Sequence, residues 1–184
     1  MSCRPMLIAA AAIMPLTMLS ACQSSRLPIT TAAHVDLPRF MGHWYVIANI
    51  PTFIETQAYA AVESYHLDSD GTIDTTFTFR KGSFDGPPRR YNPRGFVFDR
   101  HSNAVWGMRF VWPVKADYRI VYVSDDYSRT IIGRQARDYV WIMARTPTIG
   151  AADYQELLNL VGREGYDLGK VRQVPQRPAP AIGR

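Results

Sequence analysis

The most constraining feature of this sequence is a series of short segments in which apolar and polar residues alternate, each bounded by turn-forming residues. In residues 72–80, one face carries Ile73, Thr75, Phe77 and Phe79. A period of two residues is typical of a β-strand with one buried face. Short connections between such segments favour antiparallel neighbours, so the sequence predicts an all-β fold. The eight segments are residues 43–50, 59–67, 72–80, 94–99, 104–112, 117–124, 129–134 and 138–145.

One segment has helical periodicity instead. Within residues 151–161, Tyr154, Leu157 and Val161 recur at a spacing that places them on one face of a helix. This pattern predicts a helix with one apolar stripe, followed by a short strand at residues 170–174. Because eight up-and-down strands can close around room for one small ligand, we predict an eight-stranded antiparallel up-and-down barrel with this helix packed on its outside.

The first part of the chain forms a different kind of segment. Arg4 precedes an almost unbroken apolar run at residues 6–19, which ends in small residues just before Cys22. Such a run after an early positive charge is typical of a cleaved export signal. Its short length and Pro15 disfavour a permanent transmembrane helix. The sequence therefore predicts a signal peptide over residues 1–21.

The cysteine after this segment predicts a lipid anchor. Leu19-Ser20-Ala21-Cys22 resembles the bacterial lipoprotein signal, in which the cysteine thiol is acylated and becomes the first residue of the mature chain. An Asp after the cysteine would resemble an inner-membrane retention signal. Gln23 stands there instead, so we expect the outer membrane. The alternative is an ordinary secretory signal with an incidental cysteine.

Composition marks the limits of the folded domain. Residues 22–36 are rich in Ser, Thr, Ala and Pro and lack periodicity, which predicts a flexible tether. Residues 176–184 are polar and Pro-rich, which predicts a disordered tail. The folded domain is therefore expected over residues 37–175.

Composition also excludes several kinds of site. The two cysteines, Cys3 and Cys22, cannot form a four-cysteine zinc site or a multi-disulfide framework, and the histidines lack metal-ligand spacing. The net charge of +5 is spread along the chain, without the dense basic cluster expected of a nucleic-acid-binding protein. No Gly-x-Ser-x-Gly elbow occurs, and no thiol remains after lipidation. We predict no catalytic residue, metal, cofactor or nucleic-acid partner.

Three short motifs occur in a fixed order along the chain. Gly42-His43-Trp44 opens the first predicted strand, Asp126-Tyr127 lies in a turn between two later strands, and Arg145 ends the eighth. In this respect the chain resembles the lipocalins, whose three motifs have these residues in this order. Residues 138–147, together with the helix and residues 163–167 that follow, resemble the bacterial outer-membrane lipocalins related to apolipoprotein D.

The resemblance implies a structural role for these motif residues. In lipocalins the tryptophan of the first motif plugs the closed end of the barrel. Trp44 is expected to do this here, with the Arg145 guanidinium against the indole and donating hydrogen bonds to backbone carbonyls. Gly42, Asp126 and Tyr127 complete the set of structural motif residues.

The aromatic content of the chain, 12% of its residues, points to a pocket in the barrel. The resemblance implies that Tyr65, Tyr118 and Trp141 are pocket positions. Alternation adds residues on the same faces of their strands: Phe77, Phe79, Trp106, Met108 and Phe110. A wall of large rings with a few hydroxyls suits an elongated apolar ligand with a polar head. The alternative is that these side chains fill the barrel and leave no cavity.

Together these features predict a lipocalin anchored through Cys22 to the periplasmic face of the outer membrane. It would store or carry a fatty acid or lysophospholipid in membrane lipid maintenance, as a monomer or homodimer. The alternative is an interaction protein in which an exposed, basic and Pro-rich loop at residues 80–93 docks an envelope partner. A dense barrel without a cavity would favour that alternative.

Overall fold

The computed structural model describes residues 27–177. The predicted signal peptide, Cys22 and residues 178–184 of the predicted tail lie outside the described residues. The strands within this range are β1 (Gly42–Ile50), β2 (Ala58–Leu67), β3 (Thr72–Lys81), β4 (Pro88–Tyr91), β5 (Arg94–Val97), β6 (Val105–Val111), β7 (Val114–Val123), β8 (Arg129–Gly133), β9 (Val140–Ala144) and β10 (Arg172–Gln173). The helices are α1 (Leu37–Phe40) and α2 (Ala151–Arg163), with a short 3₁₀ turn at Leu168–Lys170.

The strands form one antiparallel sheet that closes on itself. Pairing of β1 with β9, from Tyr45 opposite Ala144 to Ile50 opposite Val140, completes the barrel. β4 and β5 both pair with β3 and together make one barrel strand, interrupted at Asn92-Pro93. β10 adds to β1 outside the closed circuit. The predicted eight-stranded barrel with a C-terminal helix is confirmed.

The predicted strands begin and end within three residues of the observed ones. The largest difference concerns residues 80–93, which we predict as an exposed loop. β3 extends to Lys81, and β4 pairs with it from Tyr91 opposite Phe77 to Pro88 opposite Arg80. The segment is thus a β-hairpin around a turn at residues 82–87. The prolines and arginines of this segment do not alternate with apolar residues, because a strand at the barrel rim buries little of either face.

The predicted tether also differs from the structure in its described part. Residues 27–36 pack against the barrel, where the Val35 side chain is fully buried and Ile29 nearly so. The Ala32 N–H donates to the Ile120 carbonyl at 2.9 Å, and the Val35 N–H donates to the Ser102 carbonyl at 2.7 Å. Two isolated apolar residues carry too weak a periodic signal to predict this docking.

Helix α2 packs across the outside of the barrel. Its buried residues Leu157 and Val161 contact an outer apolar cluster that includes Ile131 and Ile142 of β8 and β9. The chain then continues past the predicted domain end. Gln176, which we assign to a disordered tail, donates from its side chain to the Val46 and Ala61 carbonyls at 2.8 and 3.0 Å. The ordered part of the chain therefore includes this residue.

The base of the barrel is built around Trp44 and Arg145. The Arg145 guanidinium carbon lies 3.8 Å from the centre of the indole, which is fully buried. The same guanidinium donates to the carbonyls of Arg39, Phe40, His43 and Tyr127. One side chain thus ties α1, β1 and the turn between β7 and β8 together.

The remaining motif residues, Gly42, Asp126 and Tyr127, support this arrangement. Gly42 has a φ of +96°, and a Cβ there would lie 3.3 Å from Arg145 Nη1, so the position favours glycine on both counts. Asp126 accepts hydrogen bonds from the Ser124 and Ser128 hydroxyls, which lower its pKa to about 2. The Tyr127 hydroxyl accepts from the Asp36 N–H at 2.8 Å. These contacts hold the second motif against the first helix.

Candidate functional site

A cavity of about 460 Å³ occupies the barrel above this base. Its walls are mostly apolar and aromatic, and its entrance lies between the loops that follow β1, β6 and β8. A volume of this size suits one small ligand. The lining residues are Thr52, Phe53, Ile54, Glu55, Glu63, Phe77, Tyr91, Asn92, Pro93, Met108, Phe110, Val111, Ala116, Asp117, Tyr118, Arg134, Tyr139 and Trp141.

The structure brings five of the eight sequence-predicted pocket residues to the cavity wall: Phe77, Met108, Phe110, Tyr118 and Trp141. Tyr118 and Trp141 stack with their ring centres 6.4 Å apart. Phe110 is 56% exposed, which places it at the mouth. The wall therefore combines residues from β3, β6, β7 and β9.

The other three predicted pocket residues do not line the cavity. Tyr65 and Trp106 are buried beneath it, where they pack edge-to-face against each other and contact Phe40. Phe79 packs against Phe77 and Tyr91 instead of facing the open space. Alternation places all three inside the barrel but does not distinguish floor from wall, because both have the same parity along a strand.

The aromatic rings of the floor contact those of the cavity wall. Trp106 of the floor stacks on Tyr118 of the wall, with the ring centres 5.6 Å apart. The Tyr65 and Tyr118 hydroxyls share a hydrogen bond. Burial raises the pKa of both tyrosines well above the ordinary value, so both hydroxyls stay neutral. These two hydroxyls therefore contribute no charge to the inner end of the cavity.

Three carboxylates that were not predicted as site residues line the cavity: Glu55, Glu63 and Asp117, the last of which forms a salt bridge with Arg119 at 2.9 Å. Glu55, in the loop after β1, accepts hydrogen bonds from the Trp141 indole N–H at 3.1 Å, the Asn49 amide at 3.2 Å and the Thr52 N–H at 3.2 Å. Burial raises its pKa, and these hydrogen bonds oppose the rise. Glu55 therefore fastens the mouth loop to the wall of the cavity.

Glu63 is another carboxylate that was not predicted as a site residue. It lies on β2 opposite Trp44 and Phe77 on the neighbouring strands. Burial in the apolar barrel raises its pKa to about 7, and the Glu55 charge adds to this rise against a lowering by the Tyr65 hydroxyl. Its parity with Tyr65 was the available signal, since a residue two positions away on a strand faces the same side. Glu55 lies in a loop, where no periodic signal exists.

Arg134 is the cation of the cavity lining. Its guanidinium lies 3.3 Å from Asp138 and over the Tyr139 ring. The Arg134 Nε is buried and has no hydrogen-bond partner among residues 27–177. Because Arg134 follows β8, it lies on the mouth side of the cavity, away from the floor.

The mouth has an apolar rim. At the turn between β6 and β7, Val111, Trp112 and Val114 are exposed, and Phe53 is exposed in the loop after β1. Trp112 is 78% exposed. Lys115 lies beside this turn, with its Nζ 3.9 Å from the centre of the Phe96 ring. Exposed apolar residues of this size grouped at an opening are typical of an interaction surface.

The barrel geometry and the three motifs agree with comparisons to known proteins. The sequence profile of the Lipocalin-like domain family matches residues 35–176. The protein belongs to the lipocalin family. This lipocalin is 29% identical to temperature-induced lipocalin-1 of Arabidopsis thaliana over 158 residues, which cover 79% of this chain and 82% of the relative. It is 28% identical to the outer membrane lipoprotein Blc of Escherichia coli over 168 residues, covering 85% and 89%.

Solved structures show the same fold at lower identity. Insecticyanin from the tobacco hornworm Manduca sexta superposes on this lipocalin with a TM-score of 0.64 at 15% identity, covering 83% of this chain and 86% of that one. Among residues 27–177, no helix is long and apolar enough to cross a bilayer. Within the same residues, no three His, Cys, Asp or Glu side chains group as metal ligands would.

Proposed function

We propose that this lipocalin binds a fatty acid or lysophospholipid in its cavity, and stores or carries it in membrane lipid maintenance. The observation that carries this proposal is a cavity of about 460 Å³ walled by Phe77, Met108, Tyr118 and Trp141. Burial of an acyl chain against such a wall is favourable by roughly 0.8 kcal/mol for each methylene removed from water. The protein acts in this proposal as a binding protein, without a chemical step.

The charges support one orientation of such a lipid. Arg134 lies on the mouth side and lines the cavity, with 25% of its side chain exposed. An anionic phosphate or carboxylate accepts hydrogen bonds from a guanidinium well. The polar head therefore stays at the mouth beside Arg134, while the acyl chain extends toward Tyr118 and the aromatic floor.

The apolar rim supports exchange of the lipid with a membrane. Trp112 and the neighbouring valines insert readily into the boundary between headgroups and acyl chains, where tryptophan is favoured. Basic residues beside the rim, such as Lys115, are attracted to anionic headgroups. A lipid then passes between bilayer and cavity without crossing open water.

We also propose that Cys22 carries a lipid anchor to the periplasmic face of the outer membrane. The similarity to an outer membrane lipoprotein of Escherichia coli supports this location. Cys22→Ser removes the thiol that acylation requires, so the variant should accumulate as a soluble or unprocessed protein. A variant that is cleaved normally and still fractionates with membranes would contradict the anchor.

The binding proposal is tested with saturated fatty acids of increasing length, from dodecanoic to octadecanoic acid. Two additional carbons should tighten binding by up to about tenfold, until the floor stops the chain. Trp141→Ala should weaken binding while the circular dichroism remains that of a β-barrel. Equal and weak binding of every chain length would favour the interaction-protein alternative, in which the barrel serves only as a scaffold.

A further inference from the structure

Glu63 differs from the other acidic residues of the cavity in its partners. Asp117 forms a salt bridge with Arg119 at 2.9 Å, and Glu55 accepts three hydrogen bonds, one of them from Trp141. Within residues 27–177, no Lys, Arg or His forms a salt bridge with Glu63. The neighbour that hydrogen-bonds Glu63 is the uncharged Tyr65 hydroxyl, so among the cavity carboxylates Glu63 is the one most available to a cationic ligand.

Its position is at the inner end of the cavity. Tyr65, two residues further along β2, belongs to the buried floor, and Glu63 lies one step of about 7 Å toward the mouth. Trp44 lies opposite it on β1 and Phe77 opposite it on β3. A ligand group that reaches Glu63 has therefore passed the mouth and most of the aromatic wall.

A carboxylate in this environment discriminates between ligand heads. An ionised carboxylate in an apolar cavity is unfavourable unless a counter-charge or hydrogen-bond donors accompany it. An anionic head would add repulsion, whereas an ammonium group supplies both a positive charge and three donors. The rings of Tyr118 and Phe77 line the same space and can also attract a cation through their faces.

We propose that the cavity also takes a second class of ligand, long-chain primary amines, whose ammonium group pairs with Glu63 while the alkyl chain runs outward to the apolar mouth. This goes beyond the proposed function, because the ligand enters the same cavity head first and with the opposite charge. Arg134 at the mouth then faces the apolar chain instead of a headgroup.

The test compares three ligands of equal chain length: dodecylamine, dodecanol and dodecanoate. Isothermal titration calorimetry is used, so that the readout does not depend on tryptophan fluorescence. For the wild-type protein we expect the amine to bind about tenfold or more tighter than the alcohol, as a hydrogen-bonded charge pair would give. Glu63→Gln should remove this advantage, so that the amine binds the variant no tighter than the alcohol binds the same variant.

Two further variants control for other effects. Glu156→Gln makes the same charge change on the exposed face of α2 and should retain the preference for the amine. Glu63→Met matches the side-chain length without a polar group, and serves if the Gln variant folds poorly. Melting curves of each variant establish that the barrel is intact.

The outcomes separate the two proposals. An amine that binds no better than dodecanol to the wild-type protein, or that keeps its advantage in Glu63→Gln, overturns this inference. Binding of dodecanol and dodecanoate in that case leaves the proposed function standing. Absence of binding by all three ligands overturns both.

Discussion

The indole N–H of Trp141 on β9 donates to both carboxylate oxygens of Glu55, at 3.3 and 3.1 Å, although the two residues are 86 positions apart. Glu55 also accepts from the Thr52 N–H in its own loop. The contact therefore couples the loop at the mouth to the wall of the cavity. A change in the Glu55 charge is expected to change the order of that loop.

A double-mutant cycle tests this coupling. Trp141→Phe keeps an aromatic ring but loses the donor and part of the indole, so it should lower the free energy of unfolding by at least about 2 kcal/mol, the usual contribution of a hydrogen bond to a charged group. In a Glu55→Gln background the same change should have a smaller effect. Urea unfolding of the wild-type protein, the two single variants and the double variant gives the coupling free energy. Purely additive effects would assign the contact no energetic role.

The stack of Arg145 on Trp44 predicts a large effect at the base. Trp44→Ala should lower the free energy of unfolding by about 3–5 kcal/mol, the usual cost of removing a buried large aromatic residue. Trp112→Ala removes the same side chain from an exposed position and should change it little. Thermal unfolding of both variants makes the comparison. Equal melting temperatures would place Trp44 outside the core, against the structure.

Docking of the N-terminal segment predicts a contrast between two of its residues. Val35 is fully buried, whereas Leu27 is 81% exposed. Val35→Ala should therefore lower the free energy of unfolding by about 2 kcal/mol, from two lost methylene equivalents and the cavity they leave. Leu27→Ala should have almost no effect. A segment that behaves as a tether would give no effect for either variant.

The Glu63 carboxyl predicts how stability depends on pH. Its pKa is raised from 4.5 in the unfolded chain to about 7 in the folded protein, so its protonated form favours folding. That contribution is complete below pH 4.5 and is lost as the pH rises through 7, by about 3 kcal/mol in total.

Glu63→Gln should therefore be more stable than the wild-type protein at pH 8 and similar to it at pH 4.5. Denaturant unfolding at both values checks the prediction. Glu55 has a pKa raised in the same direction, so the variant should keep part of the pH dependence. A variant with an unchanged pH profile would mean that Glu63 is hydrated in the folded state.

The same carboxyl predicts opposite pH dependence for the two proposed ligand classes. A lysophosphatidylcholine places its acyl chain against Glu63, which must then be neutral, so binding should strengthen as the pH falls from 8 to 6. Dodecylamine needs the ionised carboxylate, so its binding should weaken over the same range. The other titratable groups of the cavity and floor are Glu55, Asp117, Arg134, Tyr65, Tyr91, Tyr118 and Tyr139.

Calorimetry at several pH values measures both trends. Glu63→Gln should flatten them, while Glu55→Gln separates the contribution of the second carboxyl. If the binding of both ligands changed with pH in the same direction, Glu63 would be excluded as the group whose titration controls binding.

The fold could be predicted from the sequence because its signals are local and repeated. Alternation in segments such as residues 72–80 is produced by a barrel whose inside is dry, and the motif residues Gly42, Trp44 and Arg145 occur where the lipocalin pattern has them. β4 escaped prediction because its four residues lie at the rim, where Arg89 and Arg90 do not alternate with apolar residues.

The cavity was less predictable, for a geometric reason. Parity along a strand distinguishes inside from outside, but it carries no information about depth, so Tyr65 and Trp106 were grouped with Tyr118 although they form the floor. Glu63 shares that parity, but a single acidic residue on a strand gives no signal that its side chain faces a buried interior. Glu55 depends on the path of a loop, which a periodic pattern does not describe.

The break at Asn92-Pro93 also creates a short free strand edge among the described residues. Among the described residues, β4 pairs with β3 alone, so its other side presents unpaired backbone groups to which a foreign strand could add. Antiparallel pairing of β4 with a second β4 would bring Arg89 and Arg90 of one copy against the same cations of the other, and Pro88 has no N–H to donate. The short free edge is thus poorly suited to edge-to-edge aggregation between copies of this lipocalin.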